Sequence, residues 1–425
     1  MSQADSTRFL LQIALLLAAG LFFGHLARRL RLPAVVGELF GGVLLGPTLL
    51  GRISPALLAW LFPASGPVAT AREGVLKLAL ITFLFVAGLE VNLAHVRRHK
   101  VTVLWTCLLG IALPFACGYF AVRWLSSMWR QPAAPDQLAL FMGAALSITA
   151  LPVIARILLD LKLEQTPFAS IVLAAATMDD ITGWTLFATV LTAVASEAGP
   201  LDRWSAVAVV LALTALVVTV GRRAIDWSRR RFGSQASNPG SLIAAAGVLT
   251  IVLAAILEKL GLHAVFGAFL AGLAMARGLE ERAPAHEIVH QFGLGVMAPI
   301  YFVSIGLHAD FVGSFDLTLV LIVLAIACVG KIVGATAGAF IGRLPRREAL
   351  AIGFAMNARG AVEIVVATVA LEAHVIDARL FVALVLMALA TSVISGPAIR
   401  ALLPADSRFS SASGSAGRSN DGVRA

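Results

Sequence analysis

The chain of 425 residues is far more apolar than a soluble globular protein: 59% of its residues are hydrophobic and 13% are charged. Its mean hydropathy of +0.90 reflects recurring apolar runs of about 20 residues, each long enough to cross the hydrocarbon core of a bilayer. The formal net charge of +9 does not indicate a nucleic-acid partner, because Lys and Arg lie in short clusters between the apolar runs, where the orientation rule for membrane proteins places them. The composition therefore predicts one integral membrane domain.

Windows of high hydropathy predict an all-α polytopic membrane protein with about thirteen transmembrane helices. The predicted spans are residues 9–27, 33–50, 73–93, 101–125, 137–160, 166–196, 204–222, 241–260, 263–277, 286–308, 316–342, 348–371 and 378–401. Residues 1–403 are thus predicted to form a single transmembrane domain. Residues 404–425 are rich in Ser and Gly and are predicted to form a disordered cytoplasmic tail.

Basic clusters between the spans predict the orientation of the chain in the membrane. They follow the first, third, fifth, seventh and eleventh spans, and they begin at Arg28, Arg97, Lys162, Arg222 and Arg343. All of these loops fall on one side, so the N-terminus is predicted to lie outside and the C-terminus in the cytoplasm, in the inner (plasma) membrane. The first apolar run ends in Ala-Arg-Arg rather than in a small-residue cleavage site, which favours a retained span over a removed signal peptide.

Helix-breaking residues stand near the centres of the fifth and twelfth spans. The fifth contains Thr149 and Pro152, and the twelfth contains Asn357 and Gly360. Because these spans are seven apart, the corresponding helices cross in opposite directions, and spans one to six and eight to thirteen are predicted to be inverted repeats. The two broken helices would then meet and cross at mid-membrane. The plainer interpretation, that Pro152 and Gly360 only kink two packed helices, is disfavoured by their matched positions.

Three ionisable residues lie deep within apolar spans: Asp179 and Asp180 in the sixth, and Lys331 in the eleventh. Each charge at that depth costs roughly 2.5–3.5 kcal/mol on insertion scales, so such residues usually serve a function. Neighbouring residues on a helix point about 100° apart. One acid can therefore pair with Lys331 while the other faces a cavity. A purely structural ion pair would need only one carboxylate.

A carboxyl group in such a cavity can bind either a proton or a cation. Low-dielectric surroundings favour the protonated form, whereas the ionised form is a hard oxygen ligand for a cation such as Na⁺. Because the two compete for one group, the sequence predicts antiport. The half-helix ends near Thr149 and Asn357 are expected to face this site. Arg359 and Glu363, four residues apart, are expected to neutralise each other and those helix ends.

At these residues the sequence resembles the monovalent cation:proton antiporter-2 family, which has the fold of the bacterial sodium/proton exchangers and of Kef-type membrane domains. The resemblance covers about residues 9–401. Beyond the residues above, it is carried by runs at 32–47, 85–90, 263–272 and 299–307.

This resemblance implies that Asp179 bonds to Lys331 and that Asp180 is the principal ligand of the cation and the proton. It also implies a homodimer whose core domain moves to give alternating access. The twin Asp resembles the electrogenic members and favours Na⁺, with K⁺ as the alternative substrate. No GxGxxG unit follows the membrane part, so no nucleotide-binding regulatory domain is expected in this chain. The expected protein is a secondary active transporter without a cofactor, not an enzyme.

Two other functions match parts of the sequence. The run from His286 to His290 has the HExxH pattern of an intramembrane zinc metalloprotease. A catalytic zinc needs a third protein ligand, and Asp310 is the nearest downstream candidate. A cation channel could use the same buried acids without alternating access. An exchanger is favoured over both, and no metal site is predicted.

The remaining ionisable and thiol residues in the spans are interpreted as structural. Glu38 and Glu90 lie near membrane ends or cavities, where they could also line a funnel. Cys107, Cys117 and Cys328 occur at unrelated spacings within apolar runs, which favours packing over a disulfide or a thiolate metal site.

Overall fold

The computed structural model describes residues 2–30, 32–90, 100–125, 128–129, 133–163, 166–195, 203–217, 239–260, 262–280, 283–308 and 310–403. These residues form helices joined by short connections and include no strand.

Long apolar helices dominate this part of the chain. In order they are α1 (Gln3–Arg29), α2 (Ala34–Leu45), α3 (Leu50–Ile53), α4 (Pro55–Leu61), α5 (Pro67–Leu89), α6 (Lys100–Trp124), α7 (Pro135–Ser147), α8 (Leu151–Asp160), α9 (Pro167–Ala195), α10 (Arg203–Leu216), α11 (Pro239–Lys259), α12 (Ala264–Glu280), α13 (Ala283–Phe292), α14 (Ala298–His308), α15 (Leu317–Ile341), α16 (Arg346–Met356), α17 (Ala361–Glu372) and α18 (Ala378–Leu402). A π-helical segment, Gly293–Met297, joins α13 to α14.

Helices fall on every predicted span, and the all-α membrane fold class is confirmed. Among the described residues, nine helices are long and apolar enough to cross a membrane, or ten if α16 and α17 count as one bent span. The predicted number of thirteen therefore stays a prediction. The short helices α3 and α4 were not predicted. The predicted tail at 404–425 and the basic clusters that begin at Arg97 and Arg222 lie outside the described residues.

Both predicted helix breaks are present. α7 ends at Ser147, and α8 begins at Leu151 with Pro152 in its first turn, where the missing backbone N–H needs no partner. α16 ends at Met356, and α17 begins after Gly360 at an angle of 43° to α16. The sequence therefore marked both interruptions correctly.

The two breaks contact each other through their backbones. The N–H group of Ala150 in the first break donates to the carbonyl oxygen of Ala358 in the second, over 3.1 Å. Non-helical backbone at this depth must find partners within the protein, because lipid offers none. The two interruptions therefore stabilise each other, as expected for broken helices that cross.

Contacts between helices follow the pattern that inverted repeats predict. α6 in the fourth span packs along α15 in the eleventh. α2 in the second span packs against α14 in the tenth, and α5 in the third packs against α12 in the ninth. In an inverted repeat of this kind the second span corresponds to the ninth and the third to the tenth. The contact between spans two and ten is therefore equivalent to the contact between spans nine and three.

Glycines allow two of these helix pairs to approach at backbone distance. A Cβ atom on Gly42 of α2 would lie 2.0 Å from the carbonyl oxygen of Val303, and one on Gly272 of α12 would lie 2.0 Å from that of Phe85. The two glycines are also equivalent in sequence, since residues 32–42 and 262–272 are identical at five of eleven positions. The repeat is thus recorded in the sequence as well as in the fold.

Candidate functional site

The first helix break brings a lysine, a carboxylate and a helix end into contact. Lys331 on α15 donates to Asp179 Oδ2 on α9 over 2.8 Å, and it also donates to the carbonyl oxygen of Ser147, the last residue of α7. The side chains of Lys331 and Asp179 are both 0% exposed. The contact between them that the resemblance implies is therefore present. The bond from Lys331 to the helix end was not predicted, and it stabilises the ammonium group because a helix C-terminus carries partial negative charge.

Asp180 lies beside this pair and is closed off from solvent. It is 4% exposed, and its Oδ1 has no hydrogen-bond partner among the described residues. We expected the acid that does not pair with Lys331 to face a cavity, whereas Asp180 is buried in this conformation. Trp184, one turn further along α9, is itself buried and packs against Phe269 of α12, with ring centroids 5.5 Å apart. Asp180 is thus buried in this conformation, and α9 and α12 are in ring contact one turn further along.

Arg359 in the second break binds the same helix end as Lys331. It donates to Glu363 Oε2 over 3.0 Å, to the carbonyl oxygen of Ala145 over 3.0 Å, and to that of Leu146. The expected pair of Arg359 and Glu363 is present, and both side chains are buried. Two cations thus meet the carbonyl end of α7, where the helix dipole favours positive charge.

Thr149 and Asn357, the polar residues of the two breaks, lie close together in the chain's interior. Thr149 Oγ1 donates to the carbonyl oxygen of Met356 over 3.0 Å, which ties the first break to the end of α16. Asn357 caps α16, and its Nδ2 donates to Cys328 Sγ over 3.5 Å. The structure therefore groups Thr149 and Asn357 at the crossing of the broken helices, as the sequence predicted.

The two acids with open roles have different surroundings. Glu90, at the end of α5, places its Oε1 3.2 Å from Nε2 of His290 on α13. Glu38 is buried within α2, and its carboxyl group approaches the backbone of Gly24 on α1. Glu38 is therefore a helix-packing residue in this conformation, and Glu90 is one member of a polar pair.

The HExxH run forms the expected helical arrangement but gains no support as a zinc site. The rings of His286 and His290 lie on one face of α13 with centroids 5.9 Å apart, yet His290 is paired with Glu90. Glu287 accepts a hydrogen bond from Gln291, one turn along the helix. In the part of the chain that the structure describes, no three His, Cys, Asp or Glu residues form a group that could hold a metal ion.

Three residues that contact the site were missed by the sequence analysis. Ser147 supplies the carbonyl group that Lys331 binds, Ser392 donates from Oγ to the carbonyl oxygen of Arg359, and Cys328 binds Asn357. A signal for Cys328 was available, since it precedes Lys331 by three residues and therefore shares its helix face. The other two contacts depend on how the helices pack.

Comparison with known families identifies the family of this chain. The family described as the transmembrane sodium/hydrogen exchanger matches residues 13–405. The chain belongs to the sodium/hydrogen exchanger family. Among the relatives of this exchanger chain, Cation/H(+) antiporter 18 of Arabidopsis thaliana is 34% identical over 400 residues, which cover 92% of the chain and 48% of the relative. The Na(+)/H(+) antiporter NhaS4 of Synechocystis sp. is 30% identical over 402 residues, which cover 93% of the chain and 97% of the relative.

A solved structure supports the same fold. The sodium proton antiporter MjNhaP1 from Methanocaldococcus jannaschii superposes with a TM-score of 0.69, covering 94% of this exchanger chain and 100% of the other, at 16% identity. The chain spans about half the length of the plant relative, since the matched region covers 48% of that protein.

Proposed function

We propose that this exchanger-family chain is a monovalent cation:proton antiporter that works by alternating access. The observation that carries the proposal is the charge of the buried site. Lys331 pairs with Asp179 at 2.8 Å and Arg359 pairs with Glu363 at 3.0 Å, so these four charges cancel. Asp180 is left as a buried carboxyl group with no ion pair in the described region. One uncompensated negative charge suits one monovalent cation or one proton.

Oxygen atoms without partners supply further ligands for a cation. In the described chain they include Oδ1 of Asp179, Oδ1 of Asp180 and Oδ1 of Asn357. Buried polar atoms without protein partners call for water or an ion, and carboxylate and amide oxygens are ligands that hard cations prefer. This donor set favours an alkali cation over an organic substrate.

Exchange follows if Asp180 carries the two substrates in turn. Binding a proton neutralises the carboxylate and removes the charge that holds the cation, while binding a cation requires the proton to leave. Burial prevents both substrates from passing freely, so each must be taken up on one side and released on the other. Movement of the helices around the breaks relative to α12, whose Phe269 packs against Trp184 of α9, would provide that alternation.

We assign Na⁺ as the principal cation and K⁺ as the alternative, because the pair of Asp179 and Asp180 is similar to that of electrogenic exchangers. The name of the Synechocystis relative, which this chain matches over 97% of the relative's length, also includes Na⁺. The proposal extends to a multi-pass plasma-membrane protein with its N-terminus outside and its C-terminus in the cytoplasm, and to a homodimer, as the resemblance implies.

Transport into everted vesicles tests this function. The chain is produced in cells that lack their own cation:proton antiporters, and NaCl, LiCl or KCl is added to vesicles with a preformed proton gradient. We expect recovery of the fluorescence of a pH-gradient dye on adding Na⁺, and none in vesicles without the chain. Cation currents without proton movement would indicate a channel instead. No response to any of the three cations would refute antiport.

A further inference from the structure

One face of α15 contacts both broken helices. Cys328 and Lys331 are three residues apart on this helix and so lie on the same side. Lys331 donates to Ser147 at the end of α7, whereas Cys328 Sγ accepts from Nδ2 of Asn357 at the end of α16. The lysine belongs to the ion pair already described. The thiol has no role in that description.

The contact with Cys328 fixes the direction of the Asn357 side chain. Asn357 is fully buried, and its backbone N–H is already used in a bond to the carbonyl oxygen of Gly353. Within the described residues, the amide has a partner for Nδ2 at 3.5 Å and none for Oδ1. The oxygen and the nitrogen of a planar amide diverge from the same carbon, so both cannot face the same partner. Holding the nitrogen on Cys328 therefore points the oxygen away from the thiol and leaves it available to a ligand.

We propose that Cys328 is a positioning residue for the cation site: it orients Asn357 so that Oδ1 serves as a neutral oxygen ligand of the cation. This inference rests on the proposed antiport. A thiol suits the task because sulfur is a weak hydrogen-bond acceptor and a soft ligand, so it orients the amide without competing for a hard alkali cation. Lys331 thus orients the carboxylate of Asp179, and Cys328 orients the amide of Asn357.

The alternative is that Cys328 only fills space between α15 and α16. Two substitutions separate these roles. Cys328→Ser keeps an acceptor for the amide N–H in nearly the same volume, whereas Cys328→Ala removes it. Cys117→Ala is the matched control, because Cys117 on α6 packs against the same helix, α15, next to Gly330, without a hydrogen bond to a site residue in the described chain.

The experiment measures KM and maximal rate for Na⁺ in everted vesicles. Loss of one weak hydrogen bond to a ligand is expected to raise KM by about threefold to tenfold in Cys328→Ala, with little change in maximal rate. Cys328→Ser and Cys117→Ala should stay within about twofold of the unmodified protein. Because a loosened ligand discriminates less between ionic sizes, the KM values of Na⁺, Li⁺ and K⁺ should also move closer together in Cys328→Ala.

A double-mutant cycle with Asn357→Ala shows whether the thiol acts through the amide. We expect no further rise in KM when Cys328→Ala is added to Asn357→Ala. If Asn357→Ala does not transport, the apparent Kd for Na⁺, taken from the thermal shift of purified protein, replaces KM in the same cycle. An unchanged KM in Cys328→Ala, or additive effects in the cycle, would overturn the inference while leaving antiport intact. Absence of exchange in the unmodified protein would refute the proposed function and this inference with it.

Discussion

Replacing Asp179 by Asn tests how the buried lysine is held. With Lys331 Nζ 2.8 Å from Asp179 Oδ2 and neither side chain exposed, the attraction between the two charges is about 6 kcal/mol at an effective dielectric constant of about 20. The variant retains an oxygen at this position, and Lys331 retains its bond to Ser147. Since part of the stabilisation survives, we expect the free energy of unfolding to fall by about 3–5 kcal/mol, as for other buried pairs that lose one partner.

The double variant Asp179→Asn/Lys331→Met isolates the electrostatic part of this loss. It leaves no unpaired charge in the interior, so we expect it to be more stable than Asp179→Asn alone and the two changes to be strongly non-additive. Asp160→Asn is the control, because the pair of Arg156 and Asp160 is more than half exposed and its loss should cost at most about 1 kcal/mol.

Thermal and denaturant unfolding of the purified proteins in detergent measure these differences. The reasoning would be refuted if Asp179→Asn unfolded like the unmodified protein. It would also be refuted if the double variant showed the sum of the two single losses.

Three further outcomes follow from the structure. Gly272→Val should prevent folding because its side chain would meet the Phe85 backbone, whereas Gly74→Ala should be tolerated because nothing lies within 4 Å; the yield of folded protein after size-exclusion chromatography checks this. Glu363→Gln should reduce stability without abolishing exchange, since Arg359 keeps two carbonyl partners. Thermal unfolding and vesicle transport measure the two effects, and a complete loss of exchange would contradict the prediction. Glu287→Gln and zinc chelation should leave exchange unchanged, and a loss in either case would revive the zinc site.

The sequence was sufficient to locate the broken helices and the buried charges. Pro152 and Gly360 interrupt long apolar runs, and charged residues such as Lys331 stand out there because burial is costly. The inverted repeat was predicted from the matched helix breaks, and the sequence also supports it directly, since residues 32–42 and 262–272 are identical at five of eleven positions. These features are local patterns or comparisons along one chain.

The remaining features depend on packing between distant segments. The bond from Lys331 to Ser147 joins residues 184 positions apart, and no local pattern specifies which carbonyl group a lysine will reach. The packing of Trp184 against Phe269 likewise joins two separate helices. Cys328 was interpreted as a packing residue because its spacing to the other cysteines indicated no shared site. Its three-residue spacing to Lys331 was the informative one, because it places both residues on one helix face.

The most direct test of the account is proton:cation exchange by Asp180→Asn. This change removes the one carboxylate without an ion pair in the described site while keeping its shape, so neither a cation nor a proton can be carried there. In everted vesicles, we expect no fluorescence recovery on adding Na⁺ or K⁺, with expression and thermal stability close to those of the unmodified protein. Asp179→Asn, which leaves the Asp180 carboxylate in place, should retain partial exchange. Full exchange by well-folded Asp180→Asn would contradict the competition mechanism and would direct attention to Glu363 as the carrier.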